Sequence, residues 1–386
     1  MTERLPNQRH HFDIPSDIVY LNAATMGPMP NQAIAAGVAG LKRKIHPWNI
    51  TSEDFFTDTG RIRPKIASLI NANESDIAIC PAASYGLATA AQNLKISKGD
   101  DIVILADQFP SNVYAWQDLA AKTGAKVRTV GGEDSNMPLS DQLLEAIDEN
   151  TALIACGNVR WTDGARIDLE AVGRRARDVG AALVVDLSQS CGAMQFDVQA
   201  VKPDFLVCVG YKWLLGPYGM GFMYVDPKYH AGAPLEQNWI ARKGSTDFTA
   251  LTDYQNAYGP GASRFDMGER SNFALLPALE AAIDLILDWG VDRVEATLAA
   301  MNATLCDKLG SIGLTALTET ERGPHYVGAA LPKHTPPDLT KRLATRNIFV
   351  SQRGSCLRIT PHLYNTEDDI DQLIEALSCE LAVATA

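Results

Sequence analysis

The sequence predicts an α/β protein with a mostly parallel, seven-stranded sheet in a large domain, followed by a smaller α+β domain. From about residue 22 to residue 290, short apolar runs alternate with segments of helical periodicity, which is typical of a parallel sheet covered on both faces. After residue 271 long helices come first and short strands follow. We therefore expect a large domain over residues 20–270 and a small domain made of residues 1–19 and 271–386.

The strands of the large domain are predicted from apolar runs such as DIVIL and ALVVD. The last run, GMGFMYV, follows its predecessor closely and is expected to form the second arm of a hairpin. Amphipathic segments such as residues 168–181 predict the intervening helices. The seven predicted strands are residues 76–80, 101–105, 126–130, 152–156, 182–186, 204–209 and 219–225.

The small domain is predicted to begin with two long helices, residues 275–289 and 291–309. Three short strands follow, at residues 325–331, 348–352 and 356–360. A closing helix begins after Thr366, a residue type that caps helix N-termini.

Composition excludes several classes of protein. With 34 Lys and Arg against 46 Asp and Glu, the net charge is −12, which argues against a nucleic-acid partner or a basic membrane-binding surface. The N-terminus lacks a signal-peptide pattern, and no apolar run is long enough to span a membrane. The seven cysteines are scattered and form no metal-ligand spacing, so we expect reduced thiols in a cytoplasmic protein without a metal.

Polar side chains follow the predicted strand ALVVD. Asp186 closes this apolar run, and Ser188 and Gln189 come directly after it. Because open α/β sheets bind ligands beyond the carboxyl ends of their strands, these side chains are candidates for a ligand site. On this segment alone, a turn-forming aspartate or a helix cap explains Asp186 equally well.

One charged residue, Lys212, interrupts the apolar run from residue 205 to residue 225. Burying an unpaired lysine is costly. Either its side chain reaches the surface along its apolar stem, or it is desolvated and forms a Schiff base with a carbonyl. The nearby glycines do not follow the G-x-G-x-x-G order, so a dinucleotide site is not favoured.

Small residues follow the predicted strand that ends at Cys80. The backbone N–H groups of Ala83, Ser84 and Tyr85 would begin a helix and are suited to hold a phosphate, although ordinary capping by Ser84 is the simpler explanation in isolation. Taken together, a phosphate site, a strand-end carboxylate and a lone lysine are what pyridoxal phosphate requires. The sequence therefore predicts pyridoxal 5'-phosphate as the cofactor.

Motifs along almost the whole chain resemble those of fold-type I pyridoxal-phosphate enzymes, specifically the class V aminotransferase family. This family includes cysteine desulfurases, kynureninases and proteins similar to isopenicillin N epimerase. The matching segments are YLNAATMGPMP, ASYG, DLSQ, GYKWLLGPYG, RFDMGERSN and LRITPHLYNTEDDID. The resemblance implies the fold-type I transferase fold and a homodimer whose sites are completed across a two-fold interface.

The resemblance also implies residue roles. Lys212 matches the Schiff-base lysine, which also moves the proton of the substrate α-carbon, and Asp186 matches the partner of the ring nitrogen. Gln189 matches the group that hydrogen-bonds the phenolic oxygen or the Schiff base, and Asn158 matches an asparagine that approaches the ring. Arg358 matches the arginine that binds the substrate carboxylate. Ala83, Ser84 and Tyr85 match the phosphate loop.

Three positions depart from the desulfurase pattern. Phe109 lies where desulfurases carry a histidine that stacks on the cofactor, and Tyr211 precedes the lysine where they carry another histidine. Both resemble the kynureninase arrangement. Ser271 occupies the segment whose usual Gly-Thr pair contacts the phosphate from the neighbouring subunit, so we expect Ser271 to replace it.

Among the activities of this family, we expect aminotransfer on a small amino acid or amine first, and epimerase or lyase chemistry next. Desulfurases need a catalytic cysteine on a mobile loop, and only Gly-Ser-Cys-Leu separates Arg353 from Arg358, which places Cys356 in a predicted strand. A non-catalytic protein that keeps this fold is the remaining alternative, and the presence of Lys212, Asp186 and Gln189 argues against it.

Overall fold

The predicted main sheet is confirmed in a computed structural model that describes residues 2–132 and 137–383. Its seven strands are β2 (Ile77–Cys80), β3 (Asp101–Leu105), β4 (Lys126–Val130), β5 (Thr151–Gly157), β6 (Ala182–Asp186), β7 (Phe205–Val209) and β8 (Gly221–Val225), after a short β1 (Val19–Tyr20). They follow the order β2-β8-β7-β6-β5-β3-β4, and only β8 runs antiparallel to its neighbours. The carboxyl ends of the six parallel strands therefore meet at one edge of the sheet.

Helices cover both faces of this sheet. They are α1 (Asn31–Lys42), α2 (Asp54–Ile70), α3 (Ala83–Asn93), α4 (Ser111–Thr123), α5 (Leu139–Ala146), α6 (Leu169–Val179), α7 (Val198–Val201) and α8 (Leu275–Trp289). Successive side chains of a strand alternate between the two faces, as in β3, where Ile102 packs with α3 and α4 and Val103 packs with α2, α6 and α8. Burial on both faces explains why the central strands are nearly continuous apolar runs, whereas the edge strand β4, KVRTV, has exposed polar residues.

A second apolar core lies in the C-terminal part of the chain. Its elements are α9 (Val291–Ser311), β9 (Thr315–Ala316), β10 (Val327–Ala330), α10 (Leu339–Ala344), β11 (Ile348–Phe349), β12 (Ser351–Arg353), β13 (Cys356–Ile359) and α11 (Glu367–Val383). An antiparallel sheet of order β12-β13-β10-β9 packs against these helices. The predicted domain bounds stay a prediction. The first core contains side chains of α8. The buried side chains of the second core come from Val19, Leu21 and residues 305–381.

Two local features of this C-terminal part have clear causes. Thr366 caps α11 as predicted, since its hydroxyl accepts the N–H of Asp369 and its own N–H donates to the Asp369 carboxylate. The strand predicted over residues 348–352 is two short strands, because the segment changes partners. β11 pairs with β1 from the N-terminal segment, whereas β12 pairs with β13.

Across the described ranges, no helix has both the length and the apolar character needed to cross a membrane. Each of the seven cysteines is free, and four of them are buried.

Candidate active site

The central pair of the site is formed by Asp186 and Lys212, at the carboxyl ends of two neighbouring strands. β6 ends at Asp186, and Lys212 lies three residues beyond the end of β7, which pairs with β6 in parallel. Gly27 packs against the backbone of Lys212. A Cβ at position 27 would lie 2.1 Å from the Lys212 carbonyl oxygen, so a larger residue there would clash. The fold thus brings together two residues that are 26 positions apart in the chain.

Lys212 is buried, with 9% of its surface exposed. Among the described residues, its Nζ has no hydrogen-bond partner, and it lies 5.5 Å from the centre of the Phe109 ring. Burial lowers the pKa of Lys212 from 10.5 to about 8, although the negative charge of Asp186 opposes this shift. A minor but appreciable fraction of this amine is therefore neutral near physiological pH, which is the form that a nucleophile or a base requires.

Asp186 and Ser188 are fixed by the backbone around them. The Asp186 carboxylate accepts the N–H of Ser188 at 2.9 Å, and the Ser188 hydroxyl accepts the N–H of Val209 at 3.3 Å. Both side chains line the pocket that contains Lys212. One carboxylate oxygen of Asp186 therefore holds the turn, while the other is available to a protonated ring nitrogen.

Gln189 is held from three directions. Its Oε1 accepts the indole N–H of Trp213 at 3.3 Å, and its Nε2 donates to the carbonyl of Ala24 at 3.2 Å. His325 Nε2 lies 2.6 Å from the Gln189 carbonyl, and since a carbonyl only accepts, Nε2 carries the proton. Burial lowers the pKa of His325 to about 4, so this histidine is neutral. These contacts leave one N–H of the Gln189 amide free to donate into the pocket.

The expected phosphate loop lies at the N-terminus of α3. Ala82 precedes the helix without a side-chain hydrogen bond, and Ser84 lies inside the first turn, so capping by Ser84 is not what occurs. Ala83 lines the Lys212 pocket, Ser84 is exposed beside it, and the buried Tyr85 hydroxyl has no partner among the described residues. The first-turn N–H groups are therefore available to an anion.

Aromatic side chains form the open side of the pocket. Phe109 and Tyr211 line it as predicted, and Tyr211 packs on Tyr218 with 4.6 Å between ring centres. Trp161 completes this wall, with its ring edge-on to Phe109 at 5.4 Å. Sequence reasoning missed Trp161, although it lies three residues after Asn158 in the loop that follows β5.

Arg358 lies behind Trp161 and is buried, with 1% of its surface exposed. Its guanidinium donates to Ser351 Oγ at 2.9 Å, to the Trp161 carbonyl at 2.9 Å and to the hydroxyl of Thr25. Two of its five N–H groups remain free for a carboxylate. No carboxylate in the described part of the chain pairs with Arg358.

Two predicted residues lie away from the Lys212 pocket. Asn158 is buried beneath it, where its Oδ1 accepts the hydroxyl of Ser190 at 2.6 Å. Ser271 lies in a separate groove beside Leu41 and Trp239, and its hydroxyl donates to the carbonyl of Phe55. Their roles toward the cofactor stay predictions.

The residues of this pocket fit pyridoxal phosphate. Gln108, which sequence reasoning also missed, lines the pocket with a buried Nε2 that has no partner among the described residues. Such a donor suits an acceptor-rich ligand, in agreement with the free N–H groups of α3. Asp186 suits the ring nitrogen, and Lys212 suits the aldehyde. The fold and the pocket define a pyridoxal-phosphate enzyme of fold type I, and the predicted cofactor is confirmed.

The chain belongs to the class-V aminotransferase family, whose model matches residues 38–373. A probable cysteine desulfurase of Methanothermobacter thermautotrophicus is 27% identical, with 97% of each chain covered. A kynureninase of Deinococcus radiodurans is 27% identical over 83% of this chain and 79% of its own.

Solved structures of C-DES share the fold. One, with glycine covalently linked to the PLP cofactor, superposes with a TM-score of 0.85 at 19% identity and covers 96% of this chain and 99% of its own. A second is described as a cystine C–S lyase with its product cysteine persulfide, with a TM-score of 0.83 at 20% identity over 94% and 98% of the two chains.

Proposed function

We propose that this enzyme is a C–S lyase that acts on a small sulfur-containing amino acid and releases the sulfur to solution rather than to a cysteine of its own. The observation that carries the chemistry is the buried, unpaired Lys212 facing Asp186. The desulfurase and C–S lyase among its relatives support the reaction type.

The residues divide the work as follows. Pyridoxal phosphate, when bound, supplies an aldehyde for the substrate amine and a ring that accepts electrons from bonds at the α-carbon. Asp186 holds the proton of the ring nitrogen, and Arg358 binds the α-carboxylate with its two free N–H groups. Lys212 Nζ takes the α-proton, after which the C–S bond breaks and sulfur leaves with the electron pair. With water, L-cysteine then yields pyruvate, ammonia and sulfide.

The position and the pKa of Cys356 support the release of sulfur to solution. Cys356 lies in β13, hydrogen-bonded in register with β10 and β12, two residues before Arg358. Burial raises the pKa of its thiol to about 12, so the thiol stays protonated, and a thiol is a weak nucleophile. A sulfur relay needs a mobile thiolate, whereas Cys356 lies in a paired strand and carries a protonated thiol.

The test is sulfur release from L-cysteine by the holoenzyme, with sulfide and pyruvate both measured. Cys356→Ser is expected to release both products at the rate of the original enzyme, and Lys212→Ala is expected to release neither. Loss of sulfur release in Cys356→Ser would show that this thiol is an acceptor and would overturn the proposal.

Aminotransfer, the first expectation from sequence, is the second candidate, and the family to which the chain belongs favours it. The same amine condensation and the same proton transfer to Lys212 begin both reactions. Conversion of the bound cofactor to pyridoxamine phosphate by a panel of amino acids, without sulfide or pyruvate, would identify aminotransfer.

We also propose that the enzyme is a homodimer, because one side of α1 and the segment after it is apolar and exposed. Leu41 is 64% exposed and Trp48 is 76% exposed. They belong to an exposed apolar stripe that consists of Ile34, Val38 and Leu41 in α1 and of Ile45 and Trp48 in the two short 3-10 helices after it. Ser271 lies in the groove beside Leu41, where a second subunit would place it near the partner's site.

Light scattering tests this arrangement. The unaltered chain is expected to have twice the mass of 41.8 kDa, and Leu41→Glu is expected to shift it toward the monomer because a buried charge opposes association. A monomeric unaltered chain with full activity would contradict the proposal.

We expect the enzyme to act in the cytoplasm, which is consistent with its free cysteines.

A further inference from the structure

A large cleft opens beside the Lys212 pocket and shares two lining residues with it, Gln108 and Trp161. Its volume of about 900 Å³ is far more than a three-carbon amino acid fills. Of the charged side chains that line this cleft, Arg353 is the one that also lies against the Trp161 ring.

The β12–β13 hairpin places Arg353 and Arg358 on the same face. Residues 354 and 355 form a two-residue turn, with Gly354 at a φ of 55°, so Arg353 pairs with Cys356 and Ser351 pairs with Arg358. Since alternate residues of a strand share a face, all four side chains point the same way. The Arg353 guanidinium lies 5.3 Å from the centre of the Trp161 ring, and that of Arg358 lies 5.7 Å from it.

Among the residues that the structure describes, no acidic side chain pairs with Arg353. Its one side-chain hydrogen bond among the described residues goes to the carbonyl of Gln352, and its pKa is lowered by burial and by the positive charge of Arg358. Arg160 in the same cleft differs, because its guanidinium forms an ion pair with Asp163. A half-buried arginine whose charged neighbour is another arginine suits an anionic ligand.

We infer that Arg353 and Trp161 form a subsite for a second negative group, carried by the substrate beyond its sulfur atom. This inference rests on the proposed C–S lyase function and names its substrate class: S-substituted cysteines with an anionic substituent. Arg358 binds the α-carboxylate on one side of the Trp161 ring, and Arg353 binds the distal anion at the mouth of the cleft. The four free N–H groups of Arg353 allow a bidentate contact.

A matched pair of substrates tests the subsite. S-Carboxymethyl-L-cysteine and S-carbamoylmethyl-L-cysteine have nearly the same shape and differ in the charge of the distal group. The holoenzyme is expected to prefer the carboxymethyl compound by about 10- to 100-fold in kcat/KM, as a charged hydrogen bond contributes. Arg353→Met is expected to bring this ratio close to one, and Arg353→Lys to keep part of it.

Arg166→Met is the control, because Arg166 is an exposed arginine that lines the same cleft. This variant is expected to keep the kcat/KM ratio of the unaltered enzyme. Equal losses on both substrates in Arg353→Met would assign Arg353 to the α-carboxylate and overturn the inference. A kcat/KM ratio near one for the two substrates in the unaltered enzyme would also overturn it. If neither compound is cleaved, the lyase proposal is still decided by the release of sulfide and pyruvate from L-cysteine. The relative affinities of the two S-substituted compounds, from the change in cofactor absorbance on binding, then decide the subsite by the same comparison.

Discussion

The Lys212 pocket and the Arg353 cleft share the Trp161 ring but hold their cations in opposite ways. Lys212 is buried, faces the carboxylate of Asp186 and has a lowered pKa that suits chemistry. Arg353 is half-buried at an open cleft, and its charged neighbour is Arg358. The comparison shows how burial separates the two cations. The buried Lys212 has the lowered pKa that our proposed bond-breaking role needs, whereas the more open Arg353 keeps the charge that our proposed anion subsite needs.

The largest expected effect is that of Lys212→Ala. Removing the amine removes both the covalent attachment and the proton acceptor, so turnover should fall by at least about 10²- to 10⁴-fold. Borohydride reduction followed by intact-mass measurement should attach the cofactor to the unaltered enzyme and not to this variant. Lys95→Ala, at an exposed lysine, is the control. Unchanged turnover in Lys212→Ala would remove the catalytic assignment of the pocket.

Asp186→Asn should have the next largest effect, roughly a 10²-fold loss of turnover, because the charge beside the ring nitrogen is lost while the turn contact to Ser188 is kept. Asp226→Asn is a matched control. Asp226 follows β8 directly, and its carboxylate accepts the backbone N–H of Lys228. Because β8 runs antiparallel to its neighbours, Asp226 lies at the opposite edge of the sheet from Asp186. Similar losses in both variants would contradict a specific role for Asp186.

The attachment of cofactor should depend on pH in a way that reports the burial of Lys212. Because the neutral amine attacks, the rate of attachment should rise about tenfold per pH unit below the pKa of about 8 and level off above it. Stopped-flow absorbance of cofactor-free enzyme mixed with pyridoxal phosphate measures this rate. In Asp186→Asn the midpoint should move lower, since the carboxylate raises the pKa of Lys212. A midpoint near 10.5 would show an exposed lysine.

The smallest expected effect is that of Trp213→Phe, which keeps an aromatic ring, although a smaller one, and removes the N–H that orients the Gln189 amide. Loss of one hydrogen bond should weaken cofactor binding by about 3- to 10-fold, measured by titration of the cofactor absorbance. Trp289→Phe is the control, because its N–H donates to Gln8 at 3.1 Å in the same buried aromatic cluster. If both variants weaken cofactor binding equally, general packing and not the Gln189 contact is responsible.

Sequence alone predicted the main sheet because its central parallel strands are short, nearly continuous apolar runs separated by helical segments. It also predicted Asp186 and Lys212, since a charge at the end of such a run is visible without any long-range contact. Trp161 carried no comparable signal, because a tryptophan in a loop is ordinary until packing places it beside two arginines.

The sequence by itself therefore determined the strands, the cofactor and the choice of Asp186 and Lys212 as the proposed reactive pair, all of which depend on local patterns of burial and charge. Tertiary structure decided the rest. The orientation of Gln189 depends on Trp213, Ala24 and His325, and the shared face of Arg353 and Arg358 depends on the register of β12 with β13. These contacts join distant segments, and no periodicity along the chain encodes which of them will meet.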